Sequence, residues 1–252
     1  MQILEAHGIE SGYGDVQVLW GVSLALEAGH VTALVGGNGA GKTTLLSTLV
    51  GRIRPRRGRI VFQGEDVTRL AAHARTRRGL VLVPEGRRLF TEMTVLENLQ
   101  MGATPKRARA RMRPNLDRVL ALFPRLSERT RQKAGTLSGG EQQMLAVARG
   151  LMSEPSLLMV DELSLGLAPV LAVELFRALL TLKDDGLSIL LVEQNVSLAL
   201  GASDHAYVLR EGRIELSGPA SEVKSDERVR RAYLGIACDP GRPLPPSPTA
   251  EA

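Results

Sequence analysis

The sequence predicts an α/β fold with a parallel sheet covered on both faces, and three observations carry that reading. Short, almost unbroken apolar runs at Val31–Val35, Leu80–Val83, Leu157–Val160 and Leu187–Val192 read as strands buried on both sides. Helical segments at 42–50 and 169–183 alternate with them, as in strand-helix-strand units. The first run leads directly into Gly36-Gly37-Asn38-Gly39-Ala40-Gly41-Lys42-Thr43, which has the strand, tight turn and helix start of a phosphate-binding loop.

The remaining elements follow in chain order. Residues 2–10 and 17–26 alternate in part and predict two strands joined by a turn at Gly12-Tyr13-Gly14-Asp15. A short strand is expected around 59–63, and Pro84 stops the strand at 80–83. Thr94 and Glu97 have capping-box spacing, which predicts a helix to about Met101. Residues 103–113 are basic and carry Pro105, so an exposed connection is expected there. The stretch 114–152 reads as helical throughout, with breaks at Pro124 and near Gly135. A hairpin at 205–218 turns at Glu211-Gly212, and short helices run through Leu234. The proline-rich tail from Asp239 is expected to be disordered.

A chain of 252 residues buries a substantial core and suits one large domain with an inserted subdomain. Lys and Arg exceed Asp and Glu by 32 to 27, a net charge of +5. The excess is clustered at 52–59, at 75–78 and at 106–113. Such runs are more often solvated faces than nucleic-acid or lipid contacts. With 3% aromatic residues there is no stacking platform for single strands, so nucleic acid is not an expected partner. Cys238 is alone, which excludes an internal disulfide and fits a reducing compartment. The first ten residues do not read as a signal peptide. No window reaches the ~18 unbroken apolar residues of a membrane span, so a soluble chain that meets a membrane through a partner is expected.

Glycines let the 36–43 loop fold around phosphates, its amide N–H groups turned inward at a helix N-terminus. Lys42 is then expected to meet the β- and γ-phosphates of a nucleoside triphosphate, and the Thr43 hydroxyl to ligate Mg²⁺, with Thr44 leading into the helix. Far downstream the apolar run at 157–160 ends in Asp161-Glu162. That pair fits the other half of a phosphate-loop ATPase: Asp161 to hold Mg²⁺, directly or through water, and Glu162 to polarise the attacking water. Between them lies Leu137-Ser138-Gly139-Gly140-Glu141, where Ser138 and Glu141 have capping-box spacing before an apolar helix. Capping does not call for consecutive glycines, whereas glycines beside a hydroxyl at a helix N-terminus suit close approach to a phosphate. The first loop already cradles one γ-phosphate, so this second element reads as serving another ATP. A simple phosphate-loop kinase or GTPase has no use for it.

Together these motifs resemble the nucleotide-binding subunit of an ATP-binding cassette (ABC) transporter, with 137–141 as that family's signature. The resemblance implies a phosphate-loop, RecA-like core, an antiparallel β subdomain and a helical subdomain inserted at about 86–155. The cassette would span 1–235 and leave 236–252 as a tail. ATP and Mg²⁺ are the implied cofactors, bound in a head-to-tail dimer. Each ATP would lie between one subunit's Gly36–Thr44 loop and the other's Ser138, Gly139, Gly140 and Glu141. Tyr13 matches the aromatic that stacks on adenine, although an exposed turn tyrosine reads the same way.

The departures from the family pattern are informative. Gly37 replaces a common proline. Glu85 stands where most members carry the Gln that couples Mg²⁺ to the transmembrane partner, and a carboxylate can still meet the ion through water. Gln194 replaces the switch His; it can donate a hydrogen bond to the γ-phosphate but cannot titrate. Ala168 replaces an Asp of the dimer-contact loop, and Leu163 a proline. With Thr94–Leu99 and Ala232–Gly235, the runs Val83–Arg88 and Val192–Asn195 resemble the shorter ATPase of branched-chain amino-acid importers. That likeness implies two transmembrane permease subunits, a longer second ATPase (or a second copy when isolated), an indirectly coupled extracytoplasmic solute-binding protein, and a place on the cytoplasmic face of the membrane. Arg87, Arg88 and Phe90 read equally as a coupling surface or a solvated loop. Importers of urea, amides or other amino acids are the alternative. A soluble ABC ATPase acting on ribosomes or DNA is disfavoured by the single cassette and the lack of heptads or a Cys cluster.

Overall fold

The computed structural model describes residues 1–233. The chain opens on β1 (Gln2–Tyr13) and β2 (Val16–Glu27), antiparallel with Tyr13 opposite Val16. The turn is therefore only Gly14-Asp15, and Gly12 and Tyr13 belong to the strand rather than the turn. β3 (Val31–Val35) is wholly buried and passes through the loop into α1 (Lys42–Leu49). β4 (Arg57–Phe62) and β5 (Glu65–Asp66) complete a four-stranded antiparallel sheet ordered β2-β1-β4-β5.

α2 (Ala72–Arg78) precedes β6 (Leu80–Val83) and has no apolar stripe; its buried residue is Arg75. The Arg75 guanidinium donates to the carbonyls of Thr48 and Leu49, at 2.9 and 2.6 Å, and to those of Thr68 and Leu70. It thus satisfies the last carbonyls of α1 and places a cation at the negative end of that helix.

A block of helices follows: α3 (Val95–Gly102), α4 (Lys106–Ala110), α5 (Met112–Leu122), α6 (Pro124–Ser127) and α7 (Gly139–Leu151). The capping box at Thr94 forms as the sequence predicts. Two expectations are corrected. Residues 103–113 are not merely a connection, because α4 lies within them and buries Ala108. Nor is 114–152 helical apart from two breaks, since the chain is non-helical at 128–133. There the carbonyls of Thr130 and Gln132 accept from the amides of Leu96 and Val95, so a non-helical segment satisfies orphan donors of the first turn of α3.

β7 (Leu157–Asp161), α8 (Pro169–Asp184), β8 (Ser188–Glu193) and α9 (Val196–Gly201) come next. β9 (His205–Arg210) and β10 (Arg213–Pro219) form the expected hairpin, followed by α10 (Ala220–Ser225) and α11 (Glu227–Tyr233). The tail from Asp239 lies outside the described residues.

The six-stranded sheet has the order β10-β9-β3-β8-β7-β6, parallel except for the β9–β10 hairpin. One core, containing Val35, Val160, Leu163 and Leu191, joins this sheet to the helices. A second, containing Leu34, Leu46, Met159 and Tyr207, joins it to the antiparallel sheet. The sheets are also tied by Tyr207, whose hydroxyl lies 3.0 Å from both the amide and the carbonyl of Ala25. Because β3, β8 and β7 are neighbours, the Gly36 loop, Glu193-Gln194 and Asp161-Glu162 emerge side by side at their C-terminal ends. Open parallel sheets bind ligands at such ends.

Candidate functional site

The glycines of the loop answer different demands. Gly39 and Gly41 have φ of 75° and 107°, a left-handed backbone that favours glycine. Gly36 is set by space instead, since a Cβ there would lie 2.3 Å from the Leu209 carbonyl oxygen. Gly37 has neither constraint: its φ is not left-handed and a Cβ would meet nothing within 4 Å. The absence of proline there therefore costs the loop little. Lys42 is buried, and its Nζ donates to the carbonyls of Gly36 and Gly37 at 3.0 and 3.2 Å. The same Nζ lies 3.6 Å from Glu162 Oε1.

The Thr43 hydroxyl donates to Asp161 Oδ2 at 3.3 Å. Asp161 is 2% exposed, and its Oδ1 has no hydrogen-bond partner among the described residues. Burial, reinforced by the Glu162 and Glu85 carboxylates, pushes its pKa up to about 6 despite the Thr43 bond. A buried, half-unpaired carboxylate beside a hydroxyl is the donor set a hard cation takes, so Thr43 and Asp161 fit Mg²⁺. Among the described residues no three His, Cys, Asp or Glu side chains form a metal cluster of their own. Glu85 is exposed and acts on Asp161 through its charge, without a hydrogen bond to Thr43 or Asp161 among the described residues.

Glu162 has φ 49°, and its amide donates to the Val192 carbonyl at 2.8 Å. The next residue, Leu163, is fully buried in the helix-side core. Glu193 was not singled out from the sequence. It is buried, and its two oxygens accept from the Ser164 amide and hydroxyl, each at 2.8 Å. It thereby fixes the turn that follows Glu162, and burial raises its pKa even so. The available signal was a carboxylate continuing the buried run at Leu187–Val192. Gln194 is exposed and shares a cavity of about 660 Å³ with Glu162, Ser164 and Gly166.

Ser138 caps α7, exchanging hydrogen bonds with Glu141, which also meets Arg129 at 3.2 Å. The paired glycines have packing reasons as well. A Cβ on Gly140 would lie 2.3 Å from Leu171 Cδ1, and one on Gly139 would lie 3.1 Å from the Arg87 guanidinium. Among the described residues no hydrogen bond or ion pair links Ser138–Glu141 to the 36–44 loop. Tyr13 ends β1 and is 54% exposed, its ring free to take a flat partner. Ala168 precedes α8 without a side-chain cap. Gly86, Arg87 and Arg88 all have positive φ; Arg87 donates to Gln142 on α7 at 2.9 Å, whereas Arg88 is exposed. Phe90 is half exposed beneath the Arg149 guanidinium.

The profile of the ABC transporter family matches residues 19–164. The chain belongs to the ABC transporter family. It is 45% identical over 229 residues to the high-affinity branched-chain amino acid transport ATP-binding protein BraG of Pseudomonas aeruginosa, covering 90% of this chain and 97% of that one. It is 38% identical over 229 residues to the probable branched-chain amino acid transport ATP-binding protein LivF of Archaeoglobus fulgidus, with the same coverage of 90% and 97%. Among solved structures, an ATP-binding cassette of an ABC transporter in its ADP conformation superposes with a TM-score of 0.82 at 31% identity, covering 94% of this chain and 100% of that one. The phosphate-loop fold and the nucleotide-binding nature of the chain follow from this membership. Among the described residues no helix is long and apolar enough to cross a membrane.

Proposed function

We propose that this ABC protein is the ATP-hydrolysing subunit of an importer of branched-chain amino acids, acting at the cytoplasmic face of the membrane. One observation carries the chemistry: Lys42, Thr43, Asp161 and Glu162 meet at neighbouring strand ends. The transported class rests on the likeness to BraG and LivF.

ATP with Mg²⁺ supplies the phosphoanhydride bond to be hydrolysed. The loop amides bind its phosphates, and Lys42 exchanges carbonyl partners for phosphate oxygens. Thr43 and Asp161 would hold the cation, which would neutralise phosphate charge, and the Glu85 carboxylate would add to the negative field around it. Glu162 accepts the proton of the attacking water, and Gln194 donates to the γ-phosphate. Tyr13 stacks on the base. Ser138, Gly139, Gly140 and Glu141 close on the nucleotide held by a second ATPase subunit, either a longer relative or a second copy. Closure is favoured because two nucleotides bridge that interface. The 85–90 loop carries the motion to two permease subunits, which work with an extracytoplasmic binding protein. The chain is the cassette at 1–235, with its helical subdomain at about 86–155 and the tail at 236–252.

The test is a pull-down of tagged Glu162→Gln chain from detergent-solubilised native membranes with Mg-ATP. Two polytopic permeases and a longer ATPase should co-elute; soluble partners alone would contradict the importer.

A further inference from the structure

The loop at 86–90 is tied to α7 at both ends of that helix. Near its start, Arg87 Nη1 donates to Gln142 Oε1 at 2.9 Å, and a Cβ on Gly139 would lie 3.1 Å from the Arg87 guanidinium. Two turns further along, Arg149 donates to the Arg87 carbonyl at 3.3 Å and lies over the Phe90 ring. From α3, the buried Asn98 accepts from the Phe90 amide at 3.0 Å and donates to its carbonyl at 2.9 Å.

Gln142 is the junction in this arrangement. While its Oε1 accepts from Arg87, its Nε2 donates to the carbonyls of Leu137 and Ala134, at 3.2 and 3.4 Å. Those carbonyls lie in the turn that leads into Ser138, the cap of α7. A guanidinium has donors only, so it takes the amide oxygen and leaves the amide nitrogen facing the carbonyls. Hydrogen bonds with an ionised partner are about twice as strong as neutral ones, so Arg87 fixes that orientation firmly. A cation beside the positive end of a helix is not favoured by the helix itself, so the stability of α7 does not account for Arg87.

We propose that Arg87 is a positioning residue for the turn at Ser138, Gly139 and Gly140, acting through Gln142. It sets the angle at which that turn closes on a nucleotide held by another subunit, which for the isolated chain is a second copy. The assignment rests on the reading of that turn given above. Arg87 also stands two residues after Glu85, whose charge acts on Asp161. The same bond therefore ties the chain's own cation site to the turn that meets the other nucleotide.

The experiment adds Arg87→Met, Arg87→Lys, Gln142→Met, or Arg87→Met with Gln142→Met to the full chain carrying Glu162→Gln. ATP-driven dimerisation is read by sedimentation, and monomer ATP affinity by fluorescent-nucleotide titration. Arg87→Met and Gln142→Met should each weaken dimerisation by about tenfold, and the pair by about the same, because both remove one contact. Arg87→Lys keeps a donor and should stay within about threefold of the parent. Monomer ATP affinity should stay within about twofold throughout, which a general loss of fold would not allow. Amide exchange without nucleotide needs no second subunit. The Leu137 amide, which donates to Ala134, and the Glu141 amide, which donates to Ser138, should exchange about tenfold faster in Arg87→Met. Unchanged exchange at both amides, dimerisation of Arg87→Met like the parent, or single effects that multiply in the pair would each overturn the assignment. A Glu162→Gln parent that stays monomeric with ATP would instead overturn the reading of the turn as meeting a second copy's nucleotide, and the exchange rates would still decide the Arg87 contact.

Discussion

Lys42 Nζ and Glu162 Oε1 lie 3.6 Å apart, joining the phosphate loop to the end of β7 within largely buried surroundings. Each charge therefore has a partner before any phosphate enters, and Lys42 also holds the loop through the Gly36 and Gly37 carbonyls. Lys42→Ala removes the cation that phosphate would meet and leaves Glu162 without its counter-charge. Nucleotide affinity should fall by about 10²-fold or more, read by fluorescent-nucleotide titration, since a lost charge-assisted contact costs about 1.5–3 kcal/mol before repulsion is added. Unchanged affinity would remove Lys42 from the site.

Asp161 is kept at a cost to the fold. Its carboxyl has an ordinary pKa of 3.8 and one of about 6 in the folded protein. Between those values the native state binds the proton more tightly, so this residue's contribution to stability declines as pH rises through that window. Asp161→Asn keeps an acceptor for Thr43 and removes the charge. The variant should be more stable than the parent at neutral pH by about 1–3 kcal/mol, with the gain vanishing below pH 3.8. Denaturant melts across pH check this, and the same variant should lose its Mg²⁺-dependent hydrolysis.

The adjacent glycines Gly36 and Gly37 should respond oppositely. Gly36→Ala drives a Cβ to 2.3 Å from the Leu209 carbonyl oxygen, backbone that cannot step aside. It should destabilise by about 2–4 kcal/mol and weaken nucleotide binding. Gly37→Ala meets open space and should be neutral or stabilising by about 0.4–1 kcal/mol, because it restricts the unfolded chain. Thermal melts of both variants decide it.

What was legible in the sequence was whatever apolar patterning and glycine spacing encode. Val31–Val35, the loop, and Leu157–Asp161 fall where expected because a strand buried on both faces has few other sequences open to it. The capping boxes at Thr94 and Ser138 form because both partners sit within one helical turn. α2 was illegible for a definite reason: Arg75 buries it through hydrogen bonds to carbonyls, so no apolar period marks it. α4 likewise buries only Ala108. The irregular stretch at 128–133 is fixed by its pairing with the start of α3, a contact no local pattern reveals. In the candidate site, motif spacing singles out Lys42, Thr43, Asp161 and Glu162, and the fold brings these four side chains together. The role of Glu193 depends on Ser164 lying opposite it across the sheet end, and only the fold supplies that.

The central claim is that Glu162 is the base of an ATP site that the other residues assemble. Steady-state phosphate release by Glu162→Gln, with ATP affinity measured on the same preparation, tests it most directly. Turnover should drop by about 10²–10⁴ while ATP binding persists. Hydrolysis retained within about tenfold of the parent would contradict the account and make another residue the base.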